Sequence, residues 1–328
     1  TGLWNQVSPV RAREAVPLAF TSKPQHQSLK SAQARYAAHA AAACGYAFRS
    51  LDDADGYLFE VSDGARRAVF AAGAGTPYAL NDARAAALAR DKAFCAEALQ
   101  RADVPVLPGR MFFVTKRWAE MRTPGRELED ASAFAARADY PVFCKPIAAS
   151  NGLYAEVIEN ADAFADYVAR VSREHFAILI QPYVRAPEHR VFVLKDRALF
   201  SYRKLLPQVT GDGRRSMREL VSALPREAEA PPLKPRGRDG RGRLVSGADV
   251  VAAGDVVVLE GPANRAAGGG ADGLRDGAPA PFAHLAIAAT RALGLSLAAV
   301  DMFDLSGDGG DLAVIEVNSN PMIATLED

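Results

Sequence analysis

The stretch Leu312-Ala-Val-Ile-Glu-Val-Asn318, followed by Ser-Asn-Pro, sets a carboxylate and an amide two residues apart inside an otherwise apolar run. Such a run reads as a buried β-strand. Strand alternation then gives Leu312, Val314, Glu316 and Asn318 one face, and Ala313, Ile315 and Val317 the other. A charge in that setting is costly unless compensated, and Glu with Asn suits a hard, oxygen-seeking cation such as Mg²⁺. The upstream run Leu297-Ala-Ala-Val-Asp-Met-Phe303 repeats the pattern with Asp301. Between them, Ser306-Gly-Asp-Gly-Gly-Asp311 is turn chemistry, so antiparallel pairing brings Asp301 towards Glu316. Two carboxylates and one amide would then form a metal site. The other reading is a buried acid on each strand paired to an arginine.

At 328 residues the chain has room for two or three packed units, and 49% hydrophobic with 24% charged residues is a globular profile. Lys plus Arg and Asp plus Glu are equal at 39 each, so bulk charge does not point to nucleic acid or a membrane surface. Cys44, Cys95 and Cys144 follow no metal or disulfide spacing, which suits a reduced, cytoplasmic protein. The apolar run over residues 250–259 is broken by Gly254 and Asp255 and is too short to cross a bilayer.

Along the chain, an Ala-rich helix is expected over residues 32–43 and a hairpin over 57–70. A single long helix over 81–101 follows, with Leu88, Lys92, Cys95 and Leu99 on one stripe. Lys92 is the odd member of that stripe; it either snorkels to solvent or serves a site. A βαβ-like region comes next, with a strand over 139–146 ending near Lys145 and a partner over 155–158. Asn160 caps a helix over 161–174 that buries Phe164, Val168 and Val171, and a strand runs over 176–183. A hairpin then flanks Lys195-Asp-Arg. Residues 225–243, rich in Pro, Gly and charge, read as a mobile loop or as an anion-binding flap carrying Arg236, Arg238, Arg241 and Arg243. A helix over 281–293 leads into the Asp301 strand.

Lys145 is followed by Ala148-Ala-Ser-Asn-Gly152, a small-residue segment able to bring backbone N–H groups against phosphate oxygens, although it is not a P-loop. Ala263-Asn-Arg-Ala-Ala-Gly-Gly-Gly270 is either a second anion-approaching segment or an ordinary surface loop. The five histidines are scattered and offer no nucleophile–base set.

The order of these pieces resembles the ATP-grasp superfamily over roughly residues 80–328. They are Lys92 in Arg90-Asp-Lys, Lys145 in Cys144-Lys-Pro, Gln181-Pro-Tyr-Val184, Glu188, Asp301 and Glu316-x-Asn318. Within that superfamily the likeness is to the ATP-grasp part of cyanophycin synthetase and of the glutathione-synthesising bifunctional enzymes. It is carried by Val209-Thr-Gly-Asp-Gly-Arg-Arg-Ser-Met-Arg-Glu-Leu220, by Gly254-Asp-Val-Val-Val-Leu, and by Asn264-x3-Gly-Gly-Gly.

The resemblance implies an α/β protein with an ATP-grasp fold: two α+β subdomains that clasp ATP, preceded by a small N-terminal domain. The expected boundaries are residues 1–80 for that domain, 81–184 for subdomain 1 with its lead-in helix, and 185–328 for subdomain 2 with the metal site. It further implies an ATP-dependent carboxylate–amine ligase working through an acyl phosphate, with ATP going to ADP and phosphate. Lys92 and Lys145 would hold the α- and β-phosphates, with the loop Ser150, Asn151 and Gly152 closing over them. Gln181, Pro182, Tyr183 and Val184 would receive the adenine, and Glu188 the ribose. Asp301, Glu316 and Asn318 would ligate two Mg²⁺ ions, with Mn²⁺ as an alternative metal. Arg203 would face the acyl phosphate, and Asn264 and Gly268 would shape the pocket for an amino acid or short peptide. Relatives of this kind are often homo-oligomers.

The chain departs from the family in Gln181 where many relatives carry Glu, in Asn151-Gly-Leu within the phosphate loop, and in the ending Asn318-Ser-Asn-Pro-Met322. The second ligase domain of cyanophycin synthetase has no counterpart here, so polymer synthesis is not expected. The competing readings are a small-molecule kinase or N-carboxylating enzyme on the same scaffold, and a non-catalytic nucleotide-binding regulatory module.

Overall fold

Hydrophobic alternation and capping chemistry account for most of the elements in the computed structural model, which describes residues 29–71, 78, 80–150, 152–225, 233–263, 265 and 268–323. The chain falls into two compact units, Thr1–Pro77 and Tyr78–Asp328. In the first, α1 (Ala32–Cys44) is capped by the Ser31 hydroxyl and packs on an antiparallel sheet of β1 (Ala47–Ser50), β2 (Leu58–Ser62) and β3 (Arg67–Ala71). Its core is small: Leu29, Ala34 and Phe59 are buried, with Phe59 stacked on Phe70.

The second unit opens with α2 (Ala83–Arg90) and α3 (Lys92–Arg101). The expected single helix is therefore broken. Asp91 takes extended backbone angles and its carboxylate accepts from the N–H groups of Ala93 and Phe94, so it ends one helix and caps the next.

A four-stranded antiparallel sheet is built from β4 (Arg110–Phe113), β5 (Val142–Pro146), β6 (Glu156–Ile158) and β7 (Ala177–Pro182), in the order β4-β7-β5-β6. The strand expected over 139–146 starts at Val142, after the Tyr140–Pro141 bond. One sheet face, with Phe112, Cys144, Ile178 and Ile180, is covered by α4 (Leu128–Ala136) and α5 (Ala161–Val171). Asn160 caps α5 through Ala163 N–H, and Phe164, Tyr167, Val168 and Val171 are its buried residues. The opposite face carries Lys145, Leu179 and Gln181.

A five-stranded antiparallel sheet follows. It contains β8 (Glu188–Leu194) and β9 (Arg197–Leu205), a hairpin turning at Lys195 with φ +57°. An insertion then forms its own four-stranded sheet and core from β10 (Gln208–Thr210), α6 (Met217–Ser222), β11 (Arg236–Asp239), β12 (Leu244–Ser246) and β13 (Val256–Leu259). The stretch read as a mobile loop or flap thus contains a strand. A Cβ at Gly237 would come within 2.3 Å of the Val258 carbonyl, so glycine lets the charged β11 lie against β13.

The large sheet is completed by β14 (Gly270–Asp276), β15 (Leu297–Asp304) and β16 (Leu312–Asn318), in the order β14-β9-β8-β15-β16. Its apolar face packs on α7 (Ala280–Ala292) and on α2 and α3 through Val191, Val193, Val300, Met302 and Val314. Residues 105–107 pair alongside β16, with Leu107 N–H bonding the Val314 carbonyl (2.9 Å) before the chain enters β4. That crossing ties the two sheets together next to Glu316.

Candidate nucleotide and metal site

Asp301 and Glu316 are direct cross-strand partners in the β15–β16 pair. The faces differ from strict alternation, however. The register shifts between Asp301–Glu316 and Met302–Val314, which leaves Ile315 as an extra residue. Leu312, Val314 and Val317 therefore share the buried core, whereas Glu316 and Asn318 turn with Asp301 to the opposite face. Asn318 donates Nδ2 to Glu316 Oε1 (3.3 Å) on that face.

The same face gathers charges from β8 and β9, because Arg190 is paired with Asp301 and Glu188 with Lys204. Arg190 donates through Nε and Nη2 to the two Asp301 oxygens (2.5 and 2.6 Å), and Lys204 reaches Asp301 Oδ2 at 3.2 Å while contacting Glu188. Asp301 is 1% exposed. Burial pushes its carboxyl up, but Arg190 and Lys204 outweigh that and hold it below the usual range. At Glu188 burial wins over Lys204, and the carboxyl is pushed up. Asp301, expected as a metal ligand, has the arginine partner of the alternative reading.

Arg203, expected to face the acyl phosphate, lies on the other face of β9 from Lys204. It pairs with His189, whose ring lies against Phe282 of α7, so Arg203 faces the helix side and bonds Asp272 (2.5 Å). Its neighbour Lys204 occupies the cleft face. Sequence reasoning missed Arg190 and Lys204; each lies two or more residues from an expected site residue or beside one, and only the strand register reveals which way they point.

Across the cleft, Lys92 begins α3. Its ammonium donates to Ala149 O (2.7 Å), its backbone N–H bonds Ile147 O (2.8 Å), and Glu316 Oε2 is 3.7 Å away. In place of the snorkelling reading stands a half-buried cation tied to the small-residue loop. Lys145 is 5% exposed and makes no ion pair among the described residues. Burial pushes its ammonium down, with Glu316 drawing it up and Lys92 pushing it further down. Glu316 is held below the usual carboxylate range: burial raises it, and Lys92 and Lys145 more than compensate.

The loop after β5 turns tightly, with Gly152 at φ +71° and Leu153 N–H bonding the Ser150 carbonyl (3.1 Å). Asn151 lies outside the described residues, as does Asn264. Gln181 is 3% exposed; Nε2 donates to the Leu107 carbonyl (3.2 Å), and its buried Oε1 has no protein partner. Pro182 ends β7, and Tyr183 and Val184 follow, half-buried. Gly268 turns the chain ahead of β14 with φ +89°. Of the four arginines expected to form a flap, Arg236 and Arg238 bind Glu260, and Arg243 binds Asp239.

Among the described residues, no group of three or more His, Cys, Asp or Glu side chains could hold a metal ion. A hard divalent cation nevertheless fits Glu316 with Asn318, whose oxygens share one face beside two lysines that suit phosphate. No helix among the described residues is long and apolar enough to cross a membrane.

No protein-family model matches the chain. In sequence it is 28% identical over 236 residues to a bifunctional glutathione biosynthesis protein of Desulfotalea psychrophila, covering 62% of this chain and 29% of that protein. It is 27% identical over 225 residues to the corresponding protein of Mannheimia succiniciproducens, covering 60% and 30%. The chain thus spans less than a third of the curated relatives it matches. Among solved structures, a bifunctional glutathione synthetase of Pasteurella multocida superposes with TM-score 0.49 at 22% identity, over 88% of this chain and 40% of that one. A D-alanine–D-alanine ligase of Bacillus anthracis gives 0.44 at 13% identity, over 74% and 60%. The chain is a mixed α/β protein built on antiparallel sheets, and its sequence is similar to bifunctional glutathione biosynthesis proteins.

Proposed function

We propose that the chain is an ATP-dependent carboxylate–amine ligase that forms an amide or peptide bond through an acyl phosphate. The observation that carries this reading is the convergence of Lys92, Lys145 and Glu316 where the inner faces of two sheets meet. Three anionic oxygen groups of a triphosphate need such a concentration of cations, and catalysis of phosphoryl transfer rests on positioning and charge neutralisation.

In this reading Lys92 and Lys145 bind the α- and β-phosphates, and Ser150, Asn151 and Gly152 close over them. Gln181, with an unpartnered buried acceptor oxygen, and the backbone of Pro182, Tyr183 and Val184 receive the base, while Glu188 serves the ribose. Glu316 and Asn318 hold Mg²⁺, and Asp301, across the strand pair from Glu316, joins them when Lys204 turns towards phosphate. Bound there, the cation would supply charge neutralisation for the transferring phosphoryl group.

A carboxylate oxygen of the first substrate forms a bond to the γ-phosphorus as the bond to the β-phosphate oxygen breaks, releasing ADP. Lys204, on the cleft face, takes the place expected of Arg203 beside the acyl phosphate. The amine of the second substrate then attacks the acyl carbon, loses a proton, and phosphate leaves. No protein nucleophile is needed, because holding both substrates at one carbon replaces it. Asn264 and Gly268 shape the pocket for an amino acid or short peptide.

The test is phosphate release from ATP and Mg²⁺ across amino acids and short peptides, singly and in pairs, with mass detection. Release that requires two components and a product one water lighter than their sum is expected. A stable phosphorylated product from one component would replace this reading with a kinase.

A further inference from the structure

The inserted sheet has a core of its own, with Val209, Met217, Val257 and Leu259 buried, and salt bridges tie it to the nucleotide side at three places. At one, Lys234 meets Glu156 (3.0 Å) and the Val157 carbonyl (3.0 Å) of β6. At a second, Arg236 Nε lies 2.6 Å from Glu159 Oε1, and at the third, guanidinium groups from separate segments converge on Glu260, whose side chain is 6% exposed. Arg185 Nη2 lies 2.6 Å from Oε1, Arg236 Nε 2.8 Å from Oε2, and Arg238 Nε 3.6 Å from Oε1.

Arg185 is the informative member. It follows directly on Gln181–Val184 in the chain, and its guanidinium lies 5.1 Å from the centre of the Tyr183 ring. Left without Glu260, Arg185 would face Arg238 and an Arg236 still held by Glu159, with no carboxylate of its own, and would turn to solvent, releasing Tyr183. The insertion itself would stay folded, since none of its buried apolar residues depends on that contact.

We propose that Glu260 is a positioning residue for the base-binding edge: through Arg185 and Tyr183 it fixes the backbone on which the nucleotide base rests. This rests on the ATP-binding reading above. It assigns the inserted sheet a part in nucleotide affinity, and none in the chemistry of group transfer.

The experiment is calorimetric titration of the full chain with ATP and Mg²⁺, comparing Glu260→Gln, Arg185→Ala and the double variant, alongside kcat and KM. Each single variant should weaken ATP about ten-fold, and the double variant should be no weaker than either single one, the signature of a shared interaction. KM for ATP should rise by the same factor with kcat within two-fold. Arg185→Ala keeps the proposal testable if Glu260→Gln does not fold. ATP affinity unchanged in both single variants, or losses that simply multiply in the double one, would overturn the proposal while leaving the ligase reading intact. Absence of ATP binding by the unsubstituted chain would overturn both.

Discussion

The polar face of the five-stranded sheet and the inserted sheet both surround carboxylates with cations, but they do so differently. On the five-stranded sheet, Asp301 is sealed at 1% exposure between Arg190 and Lys204, which themselves lie within a packed strand ladder. Around Glu260 the cations are between 28% and 45% exposed and can swing into water when released. The first arrangement makes an acid indispensable to folding, because removing it strands buried charge. The second makes an acid a connector between folded parts.

Asp301→Asn should break the comparison most visibly, costing about 3–5 kcal/mol in urea unfolding because Arg190 and Lys204 lose their counter-charge. Glu260→Gln should cost less than about 1 kcal/mol in the same assay. Equal losses would mean the two clusters do not differ in kind.

Glu316→Gln should reduce ATP-dependent product formation about 100-fold with little loss of stability, since Glu316 is 27% exposed and Lys92 keeps its bond to Ala149. Retained activity would remove Glu316 from the metal site.

The neighbours Arg203 and Lys204 sharpen the contrast between the two faces of one strand. Lys204→Met should lower kcat about ten-fold or more, the scale of a lost charge-assisted contact, whereas Arg203→Met should stay within two-fold. The reverse ranking would restore Arg203 to the cleft.

The smallest effect concerns pH. Burial holds the Lys145 ammonium below the ordinary lysine value, so the free protein loses that proton on the alkaline side before an exposed lysine would. kcat/KM for ATP should therefore fall as pH rises through the depressed pKa, and Lys145→Arg should remove that limb of the profile. For stability the sign is opposite: the folded state binds fewer protons here, so this group's unfavourable contribution fades as pH rises.

How much of this was legible in the sequence depended on whether chemistry or register decided the outcome. The Asp301 and Glu316 strands were readable because an acid inside an apolar run is conspicuous, and the Gly-rich turn between them fixes their direction. The bulge at Ile315 left no mark, since one extra apolar residue looks like any other in such a run. Register likewise hid Arg190 and Lys204, because polar neighbours such as Arg203 and Lys204 are equivalent until a partner strand assigns their faces. The helix break at Asp91 did carry a signal, an N-cap residue ahead of Lys92, that the continuous apolar stripe concealed. Strand β11 was obscured by composition, as its Gly and Arg content suits a loop and only the close approach to Val258 explains it.

The most direct measurement is the fate of a carboxylate oxygen. With the first substrate labelled with ¹⁸O in its carboxylate, turnover with ATP and Mg²⁺ should place one labelled oxygen in each inorganic phosphate released, because the acyl phosphate is cleaved at its carbon. Phosphate free of label, or label recovered in AMP, would contradict activation through an acyl phosphate.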